Sequence, residues 1–134
     1  MIEAVMPDDV EEHWPVLSGF FEEMAALSRG DVTAEGLAKD VMAAKRQCYV
    51  AVIGGEVKGC ALTRINPAGW LHIDFCAGRD ANEWGEAMLQ TFMDWAKERG
   101  WPVTAAFRRG WLGKLPLKSL GFRETHIVME ARNG

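Results

Sequence analysis

Apolar residues recur along this chain with two different periods, and the change of period divides it into elements. Val10, Trp14, Leu17, Phe21 and Met24 are spaced by three or four, which places them on one face of a helix. Asp8 and Asp9 stand ahead of them as N-cap residues, and Glu11 or Glu12 completes a capping box. Pro15 falls inside the pattern and lacks an amide hydrogen, so a kink or a late helix start is expected there. Residues 1–6 read as a strand that Pro7 ends. After a break at Ser28-Arg29-Gly30-Asp31, Thr33 is an N-cap and residues 34–47 read as a second helix.

The period then shortens. Residues 49–53 form a short apolar run, a strand buried on both faces. Gly54-Gly55 is a two-residue hairpin turn, since glycine accepts positive φ, and residues 57–65 form its partner strand. Asn66-Pro67-Ala68-Gly69 turns the chain into a strand over 70–75. Residues 82–99 form the longest helix, with Met88, Phe92 and Trp95 on its buried stripe and Gly100 as the C′ residue. A strand over 103–107, a short irregular helix over 110–120 interrupted by Pro116, and a last strand over 126–130 complete the chain. The order β-α-α-β-β-β-α-β-α-β predicts an α/β (α+β) fold: a mixed, mostly antiparallel sheet with helices on both faces. No repeat, linker or low-complexity tract divides it, so a single domain over 1–134 is expected.

Composition narrows the function. With 134 residues, 49% hydrophobic and 25% charged, the chain is long enough to build a core without disulfides or metal. The net charge of -4 disfavours nucleic acid and anionic membranes as general partners, because both ask for a basic face. No apolar run approaches the roughly 20 residues of a membrane span, and the first residues lack the features of a signal peptide. Cys48, Cys60 and Cys76 follow no metal-ligand or CxxC spacing, so they read as buried thiols of a reducing compartment, and no metal site is expected. A soluble protein of a cytoplasmic, reducing compartment fits these features.

Three local features give the element order a family likeness. The hairpin Val50-Ala51-Val52-Ile53-Gly54-Gly55-Glu56-Val57-Lys58-Gly59, the strand 71–75 followed by a long helix, and Leu120-Gly121-Phe122 together resemble the GNAT fold of acyl-CoA N-acyltransferases. More narrowly, Trp14-Pro15, Gly78, Trp84, Trp95-Ala96 and Arg108-Arg109-Gly110-Trp111 resemble the small GNAT-like proteins encoded by tailed bacteriophages and prophages. The resemblance implies that the pyrophosphate of acetyl-CoA, if bound, lies at the start of the central helix. There Asn82-Glu83-Trp84-Gly85-Glu86-Ala87 matches a Gln/Arg-x-x-Gly-x-Gly/Ala loop. Backbone contacts would then come from Cys76, Gly78, Asn82, Gly85, Glu86 and Ala87.

The same stretch departs from the family pattern. Asn82 replaces Gln or Arg. Arg79 stands against Asp80, Glu83 and Glu86, a local charge of -2, where each acid adds about 0.3–1 kcal/mol by satisfying the helix dipole that an anion would use. The late-helix tyrosine of the family aligns with Leu117, and the earlier asparagine with Gly110; Tyr49 is the one tyrosine. A base remains available. His72 and Asp74 are two apart on one strand and face the same side, and the resemblance implies Asp74 as general base. A solvated face or a local hydrogen-bonded pair explains the same spacing. His13 and His126 have no partner in sequence and read as surface residues. Arg108 and Arg109, with Trp111, follow a strand end and suit an anion or a protein partner, or else a solvated turn and a lid over the core.

Three functions fit. One is a non-catalytic GNAT-fold phage protein of virion structure or assembly, with a protein partner or its own copies as partner and no cofactor. The second is an acetyl-CoA-dependent N-acetyltransferase acting on a small amine or a protein amino group. The third is a ligand-binding remnant without chemistry. The acidic helix start and the replaced tyrosine and asparagine favour the first.

Overall fold

The computed structural model describes residues 1–105 and 115–125. The last strand expected over 126–130, most of the first half of the expected helix 110–120, and Arg108, Arg109, Gly110, Trp111 and His126 lie outside the described residues. The elements are β1 (Ile2–Val5), α1 (Val10–Leu27), α2 (Ala34–Met42), β2 (Gln47–Ile53), β3 (Glu56–Ile65), β4 (Leu71–Gly78), α3 (Ala81–Arg99) and β5 (Val103–Ala105), with a 3-10 turn at Pro7–Asp9. The described strands form one sheet in the order β1-β2-β3-β4-β5. The first four are antiparallel, and β5 runs parallel to β4 after the α3 crossover. The expected mixed sheet, with helices on both faces, is the observed one.

Each face has its own core. Under α1 and α2 lie Val10, Leu17, Phe21, Met24, Leu37 and Val41, packed on Cys48, Val50, Cys60, Leu62 and Ala77. Under α3 lie Trp84, Met88, Leu89, Phe92 and Ala96, packed on Ala51, Ala61, Leu71 and Ile73. Leu115, Leu117, Leu120 and Phe122 close this second core. Leu117 is thus a packing residue. Tyr49 also faces α3, with its ring 5.0 Å from Phe92, and burial pushes its hydroxyl above the ordinary tyrosine value. The Gly54-Gly55 turn has φ of 60° and 79°, the positive pair that a two-residue hairpin requires.

Several boundaries differ from expectation for local reasons. Helix α1 runs through Pro15 without a break; the carbonyl of Glu11, left without a donor, belongs to an exposed residue. Asp9 does not cap the helix with its side chain and no capping box forms, because the 3-10 turn feeds straight into α1 and ties the Asp9 N–H to Met6 O at 2.9 Å. Thr33 does cap α2, its Oγ1 accepting from Gly36 N–H at 2.9 Å. That helix stops at Met42 rather than residue 47. Ala44 takes a left-handed φ of 58°, and the Lys45 and Arg46 amides bond back to Asp40 O. Helix α3 begins one residue early, at Ala81, and β4 continues to Gly78.

Two strands carry an extra residue. Ala51 pairs with Gly59 but Val52 with Val57, so Lys58 bulges from β3. Leu62 pairs with Phe75 but Thr63 with Ile73, so Asp74 bulges from β4. A bulge re-aims the side chains that follow it. Leu71 and Ile73 point to α3, His72 and Asp74 to the other face, and Phe75 then packs on the α1–α2 side as well, with Cys76 back toward α3.

Trp84 locks the start of α3 onto the hairpin. It is 1% exposed, and its indole N–H donates to Arg79 O at 2.7 Å. A Cβ added at Gly59 would lie 2.3 Å from its ring. Gly59→Ala is therefore expected to destabilise the fold by about 1–3 kcal/mol through overpacking. At Gly19, in mid-helix, an added Cβ meets nothing within 4 Å, and Gly19→Ala is expected to stabilise by about 0.5–1 kcal/mol. Urea midpoints of the two variants test the pair.

Candidate functional site

Strand β4 offers one kind of chemistry at each end. At its beginning, register sets a polar row across three strands: Arg64 of β3 lies opposite His72, and His72 opposite Thr104 of β5. The His72 Nδ1 is 2.7 Å from Thr104 Oγ1, and its Nε2 is 3.4 Å from Asp74 Oδ1. A carboxylate beside Nε2 favours the tautomer that carries its proton there, which leaves Nδ1 to accept from the threonine hydroxyl. The result is a hydroxyl–imidazole–carboxylate chain.

Asp74 is held from two further directions. Arg64 Nε donates to Asp74 Oδ2 at 2.9 Å, and Arg46 Nη1 donates to the same oxygen. Arg46 also bonds Asp40 of α2, Nε to Oδ2 at 3.1 Å, and lies over the Phe75 ring. The Asp74 side chain is 12% exposed and that of His72 23%. Asp74, expected as the base, is thus an ion-pair hub whose neighbour His72 faces the hydroxyl. Burial pushes the His72 imidazole below its ordinary value; Asp74 acts against this, and Arg64 and Arg46 act with it. His72 is therefore uncharged at neutral pH.

At the other end, β4 runs past its last described contact with β5, Ile73 to Ala105, as far as Gly78. Among the described residues, one edge of this stretch pairs with β3 and the opposite edge with nothing. Gly78 has φ of 140°, and a Cβ there would sit 2.3 Å from Lys58 O, so only glycine lets the chain cross so near β3. Asp80 follows in a left-handed turn and α3 begins. Arg79 N–H bonds Lys58 O at 3.0 Å, and Glu83 N–H bonds Asp80 O at 2.8 Å. The amides of Ala81 and Asn82 lie in the first turn, where the helix itself supplies no acceptor.

Two of the three acids at this helix start, Asp80 and Glu83, are committed elsewhere, and Glu86 is exposed. Lys58 Nζ reaches Asp80 Oδ2 at 3.3 Å and Glu83 Oε2 at 3.0 Å, and Arg79 pairs with Glu56. Hydrogen bonds to the two acids push the Lys58 amine above its ordinary value. Since β3 and β5 flank β4 on opposite edges, Asp80 and Glu83 turn toward β3, away from the open edge. The sequence count of charge omitted Lys58 because it lies 22 positions before Asp80.

Of the residues expected at a cofactor, Cys76 and Gly78 lie on β4 beyond its last described contact with β5, and Asn82 lies in the first turn of α3. Gly85 is buried against the core, while Glu86 is exposed and Ala87 half-buried. All three sit beyond the first turn, where amides bond within the helix. A cleft of about 410 Å³ flanks the same turn, bounded by Val16, Phe20 and Glu23 of α1 with Val57, Gly78 and Arg79. It is separate from the His72 row, which lies about 20 Å away by strand rise. Among the described residues no group of three or more His, Cys, Asp or Glu side chains could hold a metal ion, and no helix is long and apolar enough to cross a membrane. Cys60, hydrogen-bonded to Cys48 at 3.7 Å, has its thiol pushed up by that bond and by burial.

Removing charges around His72 has a worked sign. Asp74 raises the imidazole and Arg64 lowers it. A proton NMR titration of the His72 ring is expected to show a midpoint below the ordinary 6.5, lower still in Asp74→Asn and higher in Arg64→Met. Because folding disfavours the protonated ring, the stability this ring contributes is present at neutral pH and is lost as pH falls below 6.5. His72→Gln should flatten that part of the stability curve in urea titrations.

No family model matches the sequence, and no curated protein matches it. Solved structures do match in shape. One is described as a probable acetyltransferase, with a TM-score of 0.69 and 13% identity over 100% of this chain and 99% of that one. Another is a ribosomal-protein-alanine N-acetyltransferase from Brucella melitensis biovar Abortus 2308, with a TM-score of 0.66 and 14% identity over 100% and 99%. A third is an aminoglycoside N-acetyltransferase in complex with CoA, with a TM-score of 0.66 and 15% identity over 99% and 93%. The mixed five-stranded sheet with its three helices is therefore a GNAT-like fold, spanning the whole chain.

Proposed function

We propose that the chain is an acetyl-CoA-dependent N-acetyltransferase acting on an amine. The observation that carries this reading is the Thr104–His72–Asp74 chain across β4 and β5, on a fold shared with acetyltransferases. The residues present suit acetyl-CoA: the Ala81 and Asn82 amides, in the first turn of α3 where the helix supplies no acceptor, for a phosphate. When bound, acetyl-CoA would supply the activated acyl group, its C–S bond breaking as the amide forms so that CoA leaves as thiolate and ends as the thiol with the proton the amine gave up.

The chain's own residues handle the proton. An acceptor amine attacks as its neutral form and must shed a proton as the new amide forms. The Thr104 hydroxyl accepts that proton while giving its own to His72 Nδ1. The imidazolium so formed is stabilised by Asp74, which Arg46 and Arg64 hold in place. A non-catalytic scaffold rested on the acidic helix start, the replaced tyrosine and asparagine and the phage-type resemblance; the bonds from Lys58 to Asp80 and Glu83 weaken the first of these.

His72→Gln is expected to lower kcat by about 100-fold or more with little change in acetyl-CoA affinity, and Thr104→Val to lower it less. The wild-type kcat/KM, expressed per neutral amine, should rise with pH through a midpoint below 6.5 and then level off, since the neutral imidazole is the active form. A coupled assay of CoA release over an amine panel measures both, and calorimetry with acetyl-CoA gives the affinity. Absence of acetyl-CoA binding at millimolar concentration sinks the reading.

A further inference from the structure

Beside the proton chain stands a cation whose binding capacity is half used. Arg64 spends its Nε on Asp74 at 2.9 Å. Its side chain is 44% exposed, and among the described residues no hydrogen bond engages its two terminal nitrogens. Asp74 fixes the plane of the guanidinium from behind, so the remaining N–H fork is presented in a defined direction. Such a fork matches a carboxylate with two parallel bonds.

Its position is set by register. Arg64, His72 and Thr104 are successive cross-strand neighbours, and β3 and β5 are about 10 Å apart. An arginine side chain and an α-amino acid together span that gap, with the amine at Thr104 and the carboxylate at Arg64. The field agrees. His72 feels two guanidiniums, Arg46 and Arg64, against the one carboxylate of Asp74; Asp40 lies on the far side of Arg46. A polycationic acceptor gains little here, since Asp74 and Asp40 are both already engaged by guanidiniums.

We propose that the acceptor amine also carries a carboxylate, as an α-amino acid does, and that the Arg64 guanidinium binds it. This rests on the transferase reading for its chemistry but not for its binding step. Two readouts separate them. The first is CoA release with matched pairs, L-phenylalanine against 2-phenylethylamine and L-leucine against 3-methylbutylamine. The amino acids should be favoured in kcat/KM by about tenfold or more, the loss expected when a charged hydrogen-bond partner is missing. Arg64→Met should collapse that ratio to about one, and Arg64→Lys should keep part of it.

The second readout is the Arg64 Nε–H resonance in nitrogen-15 NMR, titrated with L-phenylalanine without acetyl-CoA. A saturable shift is expected with the amino acid and none with 2-phenylethylamine. That shift without acyl transfer to any amine keeps the anchor and overturns the transferase. Equal transfer to both members of a pair, or a ratio unchanged in Arg64→Met, overturns the anchor and keeps the transferase. Neither transfer nor shift overturns both.

Discussion

The Asp74 carboxylate is the point on which the candidate site depends. It is the extra residue of β4, and it joins Arg46 from the α2–β2 connection, Arg64 from β3 and His72 from its own strand. Through Arg46 the chain of charges reaches Asp40 of α2. The Arg64 arm is open to water and adds little to stability, about 0–1 kcal/mol. The Arg46 arm is more enclosed, and the cost of removing both charges from water offsets much of their attraction. The network's effect lies in geometry. It fixes the bulge, orients the imidazole and presents the free fork of Arg64. Without the extra residue, Phe75 and every later side chain of β4 would change faces, and both cores would lose contacts.

A second constraint acts at the far end of the same strand. Lys58, the extra residue of β3, gives its carbonyl to Arg79 N–H and its amine to Asp80 and Glu83. Trp84 then fills the space left by Gly59 and Gly78 and holds the Arg79 carbonyl. The turn into α3 is thus fastened to β3 by backbone, side chain and packing together. The consequence is electrostatic. Two of the acids that in sequence crowd the helix start, Asp80 and Glu83, are drawn to the β3 side of it.

Much of the fold was legible in the sequence because it rests on local chemistry. The α1 and α3 stripes follow helical spacing, Gly54-Gly55 can hardly be anything but a tight hairpin, and Thr33 is a cap in fact. His72 and Asp74 were placed on one face by strand period alone. What the sequence did not reveal depends on register and on extra residues. Thr104 gave no signal, since nothing local says which β5 residue meets His72. Arg46 was hidden inside an over-extended α2, because its residues favour a helix as well as a turn; the left-handed Ala44 that ends the helix has no signature. Lys58 looked like an ordinary hairpin residue until its partners came from α3. The nearest available hint was a break in pattern: in Leu71-His72-Ile73-Asp74-Phe75-Cys76, the polar–apolar alternation fails at Cys76, two residues past the bulge at Asp74.

The two ends of β4 also decide how the charge of the site should be counted. Summed along the sequence, the start of α3 is acidic and hostile to a phosphate. Summed in space with Lys58 and Glu56 included, two cations face four acids, still a charge of -2, so the total has not changed. Its direction has. Coulomb interactions in partly exposed sites fall off with distance and with intervening water, so a carboxylate bonded to Lys58 on the β3 side weighs less on a group at the opposite edge than its count suggests. The same logic applies at the other end, where Arg46 is balanced by Asp40 but Arg64 keeps a free fork. A site is characterised by where its charges point, and on this strand the β3 side engages Asp80, Glu83 and Asp74 while the β5 side supplies the hydroxyl that meets the imidazole.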